Sequence, residues 1–340
     1  MAQRYPYFVL FLVAALVVCF CLDISHGALS IKWTDLPGYL IGQGEHEIER
    51  YIVQHYRLPK ALTAIGIGIA LAMSGLLMQT VFRNPLAGPY VLGLSSGASL
   101  GVAILIMASA ALPLAIQSVL RGPYGLITAA AIGSFFVLLL ILFMARKVND
   151  STSLLVIGLM FGSFAGAIVG TLSFYSTAEH LQRFTLWSLG SLDSVDAYSL
   201  TVLLATALGC SIWMYVRHRQ LDVLLLGANY AQSLGVNYRR TVLWALVLTS
   251  ILAGISTALV GPIAFVGIAI PHVARLLIQR SSHRLLIPIA ALLGAIFMLL
   301  CDTLSYWPIG GFQLPINAIT SLLGAPIVIG FLIRKKHLVL

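Results

Sequence analysis

Ten apolar runs, each close to the ~20 residues a helix needs to cross a bilayer, leave this chain few ways to fold. They lie near 7–24, 60–82, 91–112, 124–145, 154–175, 198–216, 241–260, 262–279, 284–304 and 314–333, with short polar breaks between them. With 59% hydrophobic and only 9% charged residues, the sequence falls well short of the roughly one-quarter charge of a soluble domain. The fold class predicted is an all-α polytopic membrane protein with ten transmembrane helices, forming a single domain over 1–340. The first run is longer than the ~7–15 apolar residues of a signal peptide and no small-x-small site follows promptly, so it counts as the first span. Cys19, Cys21, Cys210 and Cys301 fall in or beside spans without CxxC spacing and read as apolar packing residues.

Charge orients the array. With ten spans and both termini inside, the inner face collects 14 of the 20 basic residues, among them Arg83, Arg146, Lys147, Arg217, Arg219, Arg239, Arg240, Arg275, Arg280 and Arg284. The outer face keeps the other 6: Lys32, Arg50, Arg57, Lys60, Arg121 and Arg183. That asymmetry obeys the rule that cytoplasmic loops are basic. Merging the seventh and eighth runs, separated only by Gly261-Pro262, would move Arg275, Arg280 and Arg284 outside and weaken it. The net charge of +9 is therefore mostly an orientation signal and points to no nucleic-acid partner.

The polar segment 217–240 is too patterned for a slack connection. Leu221, Leu224 and Leu225 recur at helical spacing, Gly227 can stop that turn, Asn229 can cap a second short helix and Gly235 can end it. Two short helices flanked by arginines would form a rigid knuckle on the cytoplasmic face. A subunit pushed by a separate motor needs such a feature, and an ordered amphipathic loop at the lipid surface has the same pattern.

Elsewhere, Pro59 suits the start of the second span, with Arg57 and Lys60 about one turn apart at the outer rim, where snorkelling is the simple reading. Arg83-Asn84-Pro85-Leu86-Ala87-Gly88-Pro89 breaks the helix, as a pathway lining or a plain turn would. Ser151 and Thr152 can cap the fifth span. Gly158, Gly162, Gly166 and Gly170 repeat every fourth residue, a close-packing stripe that also suits a pore or dimer seam. A short surface helix is predicted within 176–197, the eighth span closes with Pro271-His272-Val273-Ala274-Arg275, and Pro326 marks a kink in the tenth.

Several chemistries are absent. No GxxxxGK[ST], HExxH or GxSxG occurs, and none of the lysines has a phosphate-binding loop before it. Carboxylates are nearly missing from the span interiors: Asp23 and Asp302 sit at outer ends, Asp150 and Asp222 in inner loops. An ion-coupled secondary transporter, the competing class, would normally place such groups near the midplane.

Taken in order, Arg57-Leu58-Pro59-Lys60, Ala70-Leu71-Ala72-Met73-Ser74-Gly75, Arg83-Asn84-Pro85-Leu86-Ala87, Leu92-Gly93-Leu94-Ser95-Ser96-Gly97-Ala98, Leu226-Gly227 with Ala231 and Ser233-Leu234-Gly235, Gly261-Pro262-Ile263-Ala264-Phe265-Val266-Gly267, Pro271-His272-Val273-Ala274-Arg275, Leu314-Pro315 and Gly324-Ala325-Pro326 carry a resemblance. Over nearly its whole length the chain resembles the permease subunits of type II ABC importers, of the FecCD and BtuC type, for iron-siderophores, haem and cobalamin. The resemblance implies a homodimer with the pathway between copies, two ABC ATPase subunits that use ATP and Mg, and a periplasmic binding protein, all at the bacterial inner membrane. This chain would bind no cofactor or metal itself. Leu221, Leu224, Leu225, Leu226, Gly227, Ala231, Ser233, Leu234 and Gly235 would couple to the ATPases, and Arg57 and Lys60 would dock the binding protein. Asn84, Pro85, Leu86, Ser151 and Thr152 would lie at the gates. Tyr306 and Gln313 depart from the pattern by replacing a basic and an acidic residue.

Overall fold

The computed structural model describes residues 5–334 except 28, 30, 44–45, 109–116, 118–121, 123, 149–150, 194 and 307–312. Every regular element among the described residues is helical. The principal helices are α1 (Tyr5–Ser25), α2 (Leu58–Val81), α3 (Leu94–Met107), α4 (Gly125–Lys147), α5 (Ser151–Phe174), α6 (Ala197–Val216), α7 (Tyr238–Val260), α8 (Val266–Ile278), α9 (His283–Ser305) and α10 (Ile316–Arg334). Among the described residues, seven helices are long and apolar enough to cross a membrane, while α3, α8 and α10 contribute shorter apolar stretches.

The shortening has local causes. Pro89 opens a 3-10 turn over Pro89–Leu92 and Gly93 adopts φ +76°, so α3 begins only at Leu94. Before α8, residues 261–265 run irregularly, with Gly261 at φ +80° and Phe265 at φ +65°. Protein groups satisfy this irregular backbone: the Ala264 N–H donates to the Asn317 side chain (3.0 Å), and the Val260 carbonyl accepts from the Ser191 N–H (3.0 Å). Pro271 lies inside α8, within the predicted eighth span. The predicted surface helix is present as Ala178–Ser188, and the polar stretch after α1 folds into two short helices, Leu36–Leu40 and Glu47–Ile52.

Helix α2 is the centre of the packing. Most of its residues from Lys60 to Val81 are buried, and it touches α6, α7, α8 and α9. Glycines allow these approaches. Gly68 faces Gly294 of α9, and Gly75 faces Gly267 of α8; a Cβ on either α2 glycine would collide with a backbone carbonyl. Pro271 has no N–H to offer the Gly267 carbonyl four residues back, and that carbonyl lies against Gly75. In the α5 stripe, Gly158 meets the backbone at Val91 and Leu92, whereas Gly166 and Gly170 face open space. The outer surface of the bundle carries exposed apolar side chains such as Phe11, Phe136, Phe164 and Ile212.

Gly75→Val forces β-branched bulk into a backbone contact and should cost at least about 1–3 kcal/mol, lowering the melting temperature and folded yield in detergent. Gly166→Ala, with nothing within 4 Å of the added methyl, should leave the melting temperature of the single chain unchanged.

Candidate functional site

The segment between α6 and α7 forms two short helices, His218–Leu224 and Ala228–Ser233. The first ends as Gly227 takes φ +93°, and the second ends with Gly235 at φ +74°, conformations in which a side chain would be strained. Asn229 does not cap the second helix. Gly227 holds that position and Asn229 lies inside the helix.

The knuckle has two faces. Leu221, Leu224 and Ala231 are buried against the bundle, so these three anchor it and present nothing to an outside partner. Leu225 is half-buried, while Leu226, Ser233, Leu234 and Gly235 are exposed. The exposed apolar group is Leu226 (54%), Leu234 (59%) and Tyr230 (68%). Tyr230 is not among the residues that the sequence singles out; it precedes buried Ala231 by one residue, roughly 100° round that helix, and faces outward.

Asp222 ties the first short helix to α9. Its Oδ1 accepts from the His283 backbone N–H (2.7 Å) and lies 2.7 Å from His283 Nδ1. Burial pushes the Asp222 carboxyl up, but the hydrogen bonds from His283 outweigh that and hold it below its ordinary value.

Beside the knuckle, the turn after α2 adopts an unusual form, with Arg83 at φ +46° and its guanidinium beside Gly227. The Asn84 side chain accepts from the Leu86 N–H (2.9 Å), which fixes the turn. Asn84 and Pro85 line a cavity of about 560 Å³ with Gln79, Arg83, Asp222, Leu225, Leu226 and Arg275. Four of the residues predicted to gate or couple, Asn84, Pro85, Leu225 and Leu226, thus meet in one space. Leu86 is 36% exposed and is not among the lining residues. Ser151 and Thr152 begin α5, and their side chains lie outside the described residues.

At the opposite end, the two cations read as rim residues are engaged within the chain. Lys60 is only 7% exposed. Its ammonium lies 3.1 Å from Asp302 of α9 and 3.1 Å from Asp193, and it donates to the Tyr306 hydroxyl (2.6 Å). Arg57 donates to the carbonyls of Ile24 (2.7 Å), Ser25 (3.1 Å) and Leu29, clamping the end of α1. Neither is a free surface charge. The cause is the nearby set of acceptors: Asp302 is buried and needs a counter-ion, and the carbonyls at the end of α1 have no helical partners. Tyr306, which reads from sequence as a lost cation, completes the Lys60 contact, and Gln313 lines a cavity of about 290 Å³ with Asp193 and Asp302.

Lys60→Met would leave Asp302 buried without its partner and should destabilise the chain by about 3–5 kcal/mol in thermal unfolding. Asp193→Asn, at the half-exposed end of the same group, should cost under about 1 kcal/mol. Because the Asp222 carboxyl is depressed, its support of the knuckle is complete above the ordinary Asp range of about pH 4 and is lost as pH falls through the lower folded value. Proteolytic nicking of 217–240 should therefore stay constant from neutrality to about pH 5 and rise only in stronger acid.

A chain of closely packed apolar helices, with an ordered knuckle at one end and a closed charge cluster at the other, matches proteins of known description. The model of the FecCD transport family matches residues 15–335. The hemin transport system permease protein HmuU of Yersinia pestis is 36% identical over 96% of this chain and 95% of its own length. The vitamin B12 import system permease protein BtuC of Vibrio cholerae is 36% identical over 85% of this chain and 84% of its own. Among solved structures, an inward-facing metal-chelate type ABC transporter superposes with a TM-score of 0.84 at 28% identity, covering 97% of this chain and all of that one. The chain belongs to the FecCD transport family.

Proposed function

We propose that this protein is the membrane-spanning permease subunit of an ATP-driven importer of metal chelates, with haem and cobalamin, the cargoes of its named relatives, as the first substrates to test and iron-siderophores next. It works as a homodimer with two ABC ATPases at the knuckle end and a binding protein at the other, in a bacterial inner membrane with both termini cytoplasmic. ATP and Mg act on the ATPases, and this chain holds no cofactor of its own.

The observation that carries the reading is the knuckle. Its buried leucines brace it against the bundle, while Leu226, Tyr230 and Leu234 stand exposed beside a polar cavity. A separate motor needs a stiff handle with an apolar grip, and a chain without a phosphate-binding loop needs such a motor. The basic residues of 217–240 fit the cytoplasmic side. Two further roles belong to the same reading: the Asn84-Pro85-Leu86 turn, with Ser151 and Thr152, acts as the inner gate, and the Gly166 and Gly170 face of α5 takes the second copy.

Docking of the binding protein has to begin elsewhere than on Lys60, which is already neutralised by two carboxylates. Arg57, bound to backbone carbonyls, serves there only if those contacts open.

Replacing both Leu226 and Leu234 with Asp should weaken ATPase association about 30-fold or more, the loss of a 2 kcal/mol hot spot, and abolish uptake into vesicles. Undiminished co-purification of the ATPases with full uptake would reject the handle. Vesicles holding wild-type chain, ATPases and binding protein should accumulate one chelate of the three only with ATP. Accumulation without any nucleotide-hydrolysing subunit would instead favour ion-coupled transport.

A further inference from the structure

The knuckle is joined to the end of α2 by a polar chain that starts at partly exposed Asp222 and runs through α9 into the core. Asp222 Oδ1 lies 2.7 Å from His283 Nδ1, and His283 Nε2 lies 2.8 Å from the Thr80 hydroxyl, two residues before α2 ends its last turn at Phe82. His283 and Thr80 are both fully buried. Thr80 also reaches its own helix, donating to the Leu76 carbonyl (2.7 Å). The chain is satisfied in either protonation state of the imidazole. Charged, the ring donates at both nitrogens while Thr80 donates to Leu76; neutral, Thr80 turns its hydrogen to Nε2. A second link lies next to it: Arg275 of α8 donates to the Gln79 side-chain oxygen, and the Gln79 amide returns to the Ile268 carbonyl of α8 (3.0 Å).

This arrangement matters because of the space beside it. The cavity of about 560 Å³ lies between the Leu225-Leu226 side of the knuckle and the Asn84-Pro85 turn, so that, apart from the Arg83 guanidinium reaching Gly227, much of the gap is left unpacked. A push on the knuckle reaches the turn through the single flexible Arg83 side chain and through the hydrogen-bonded groups of the cavity wall, among them Asp222, Gln79 and Arg275. Charge-assisted hydrogen bonds in a buried setting are short, directional and costly to break, the properties of a strut rather than of a lubricated surface.

We propose that His283 and Thr80 are positioning residues for transport: together with Asp222 they make the knuckle and the last turn of α2 move as one body, so that ATPase motion reaches the Arg83–Pro89 turn. This rests on the reading of the knuckle as the ATPase handle and adds the route by which its motion is delivered.

The test uses the complete importer in vesicles, with Thr80→Val, Thr80→Ser and His283→Asn. Thr80→Val keeps the side-chain volume and removes the hydroxyl; Thr80→Ser keeps the hydroxyl. Complexes of Thr80→Val and His283→Asn should assemble and hydrolyse ATP in the absence of binding protein at rates within about twofold of wild type, while ATP consumed per chelate imported rises about tenfold, a coupling loss of ordinary size between linked sites. Thr80→Ser should restore the wild-type ratio. If transport and hydrolysis fall together in Thr80→Val, in step with a lowered melting temperature and an unchanged ratio, the pair is only structural and the proposal fails.

Hydrogen exchange on the wild-type complex needs no variant. Adding a non-hydrolysable ATP analogue should change protection of 218–224 and 78–83 together, and a change confined to 218–224 overturns the strut. The Leu226→Asp, Leu234→Asp protein separates the two ideas. Loss of ATPase binding there with normal coupling in Thr80→Val leaves the handle standing and removes only the route.

Discussion

Backbone contact between α2 and its neighbours is the constraint on which this fold rests. In a bilayer, apolar side chains gain little by exchanging lipid for one another, so helices hold together through van der Waals fit and the few polar links they can complete. Gly68 against Gly294 and Gly75 against Gly267 bring α2 close enough to α9 and α8 for both. The same closeness sets Gln79 within reach of Ile268 and Arg275, and Thr80 within reach of His283. A wider separation would leave those polar groups buried and unpaired, at a penalty of roughly 1–3 kcal/mol for each.

The two ends of the bundle use charge in different ways. At the knuckle end the ionic and polar groups border a cavity, and the surface beyond it carries exposed leucines and a tyrosine. At the other end Lys60 joins α2, α9 and the 190–196 connection, while Asp23 of α1 accepts from Thr303 of α9 (3.1 Å). The charges of the Lys60 cluster are therefore paired within the chain, whereas the knuckle leaves an apolar group exposed.

Much of the fold was legible in the sequence. Each apolar run coincides with a helix, seven of which among the described residues are long and apolar enough to cross a membrane, since apolarity over ~20 residues is a local property. Gly227 and Gly235 punctuate the knuckle for an equally local reason, their positive φ. One error was local: Asn229 has capping chemistry, but Gly227, two residues before it, takes the cap. Pro271 lies within the predicted eighth span, and α8 runs through it where the Gly267 carbonyl, freed of its usual donor, is accommodated against Gly75.

The site divides along the same line. The sequence alone determined that these residues build a polytopic helical bundle, that the 217–240 segment is a structured knuckle and that no nucleotide-binding loop is present. Only the tertiary structure decided which knuckle residues face out, that Lys60 and Arg57 are engaged inside the chain, and that Asp222, His283 and Thr80 meet across 203 positions of sequence. Composition and periodicity report what a residue tends to do beside its chain neighbours. The partner a buried charge or hydroxyl finds depends on how helices cross, and that crossing is set by packing among all of them at once.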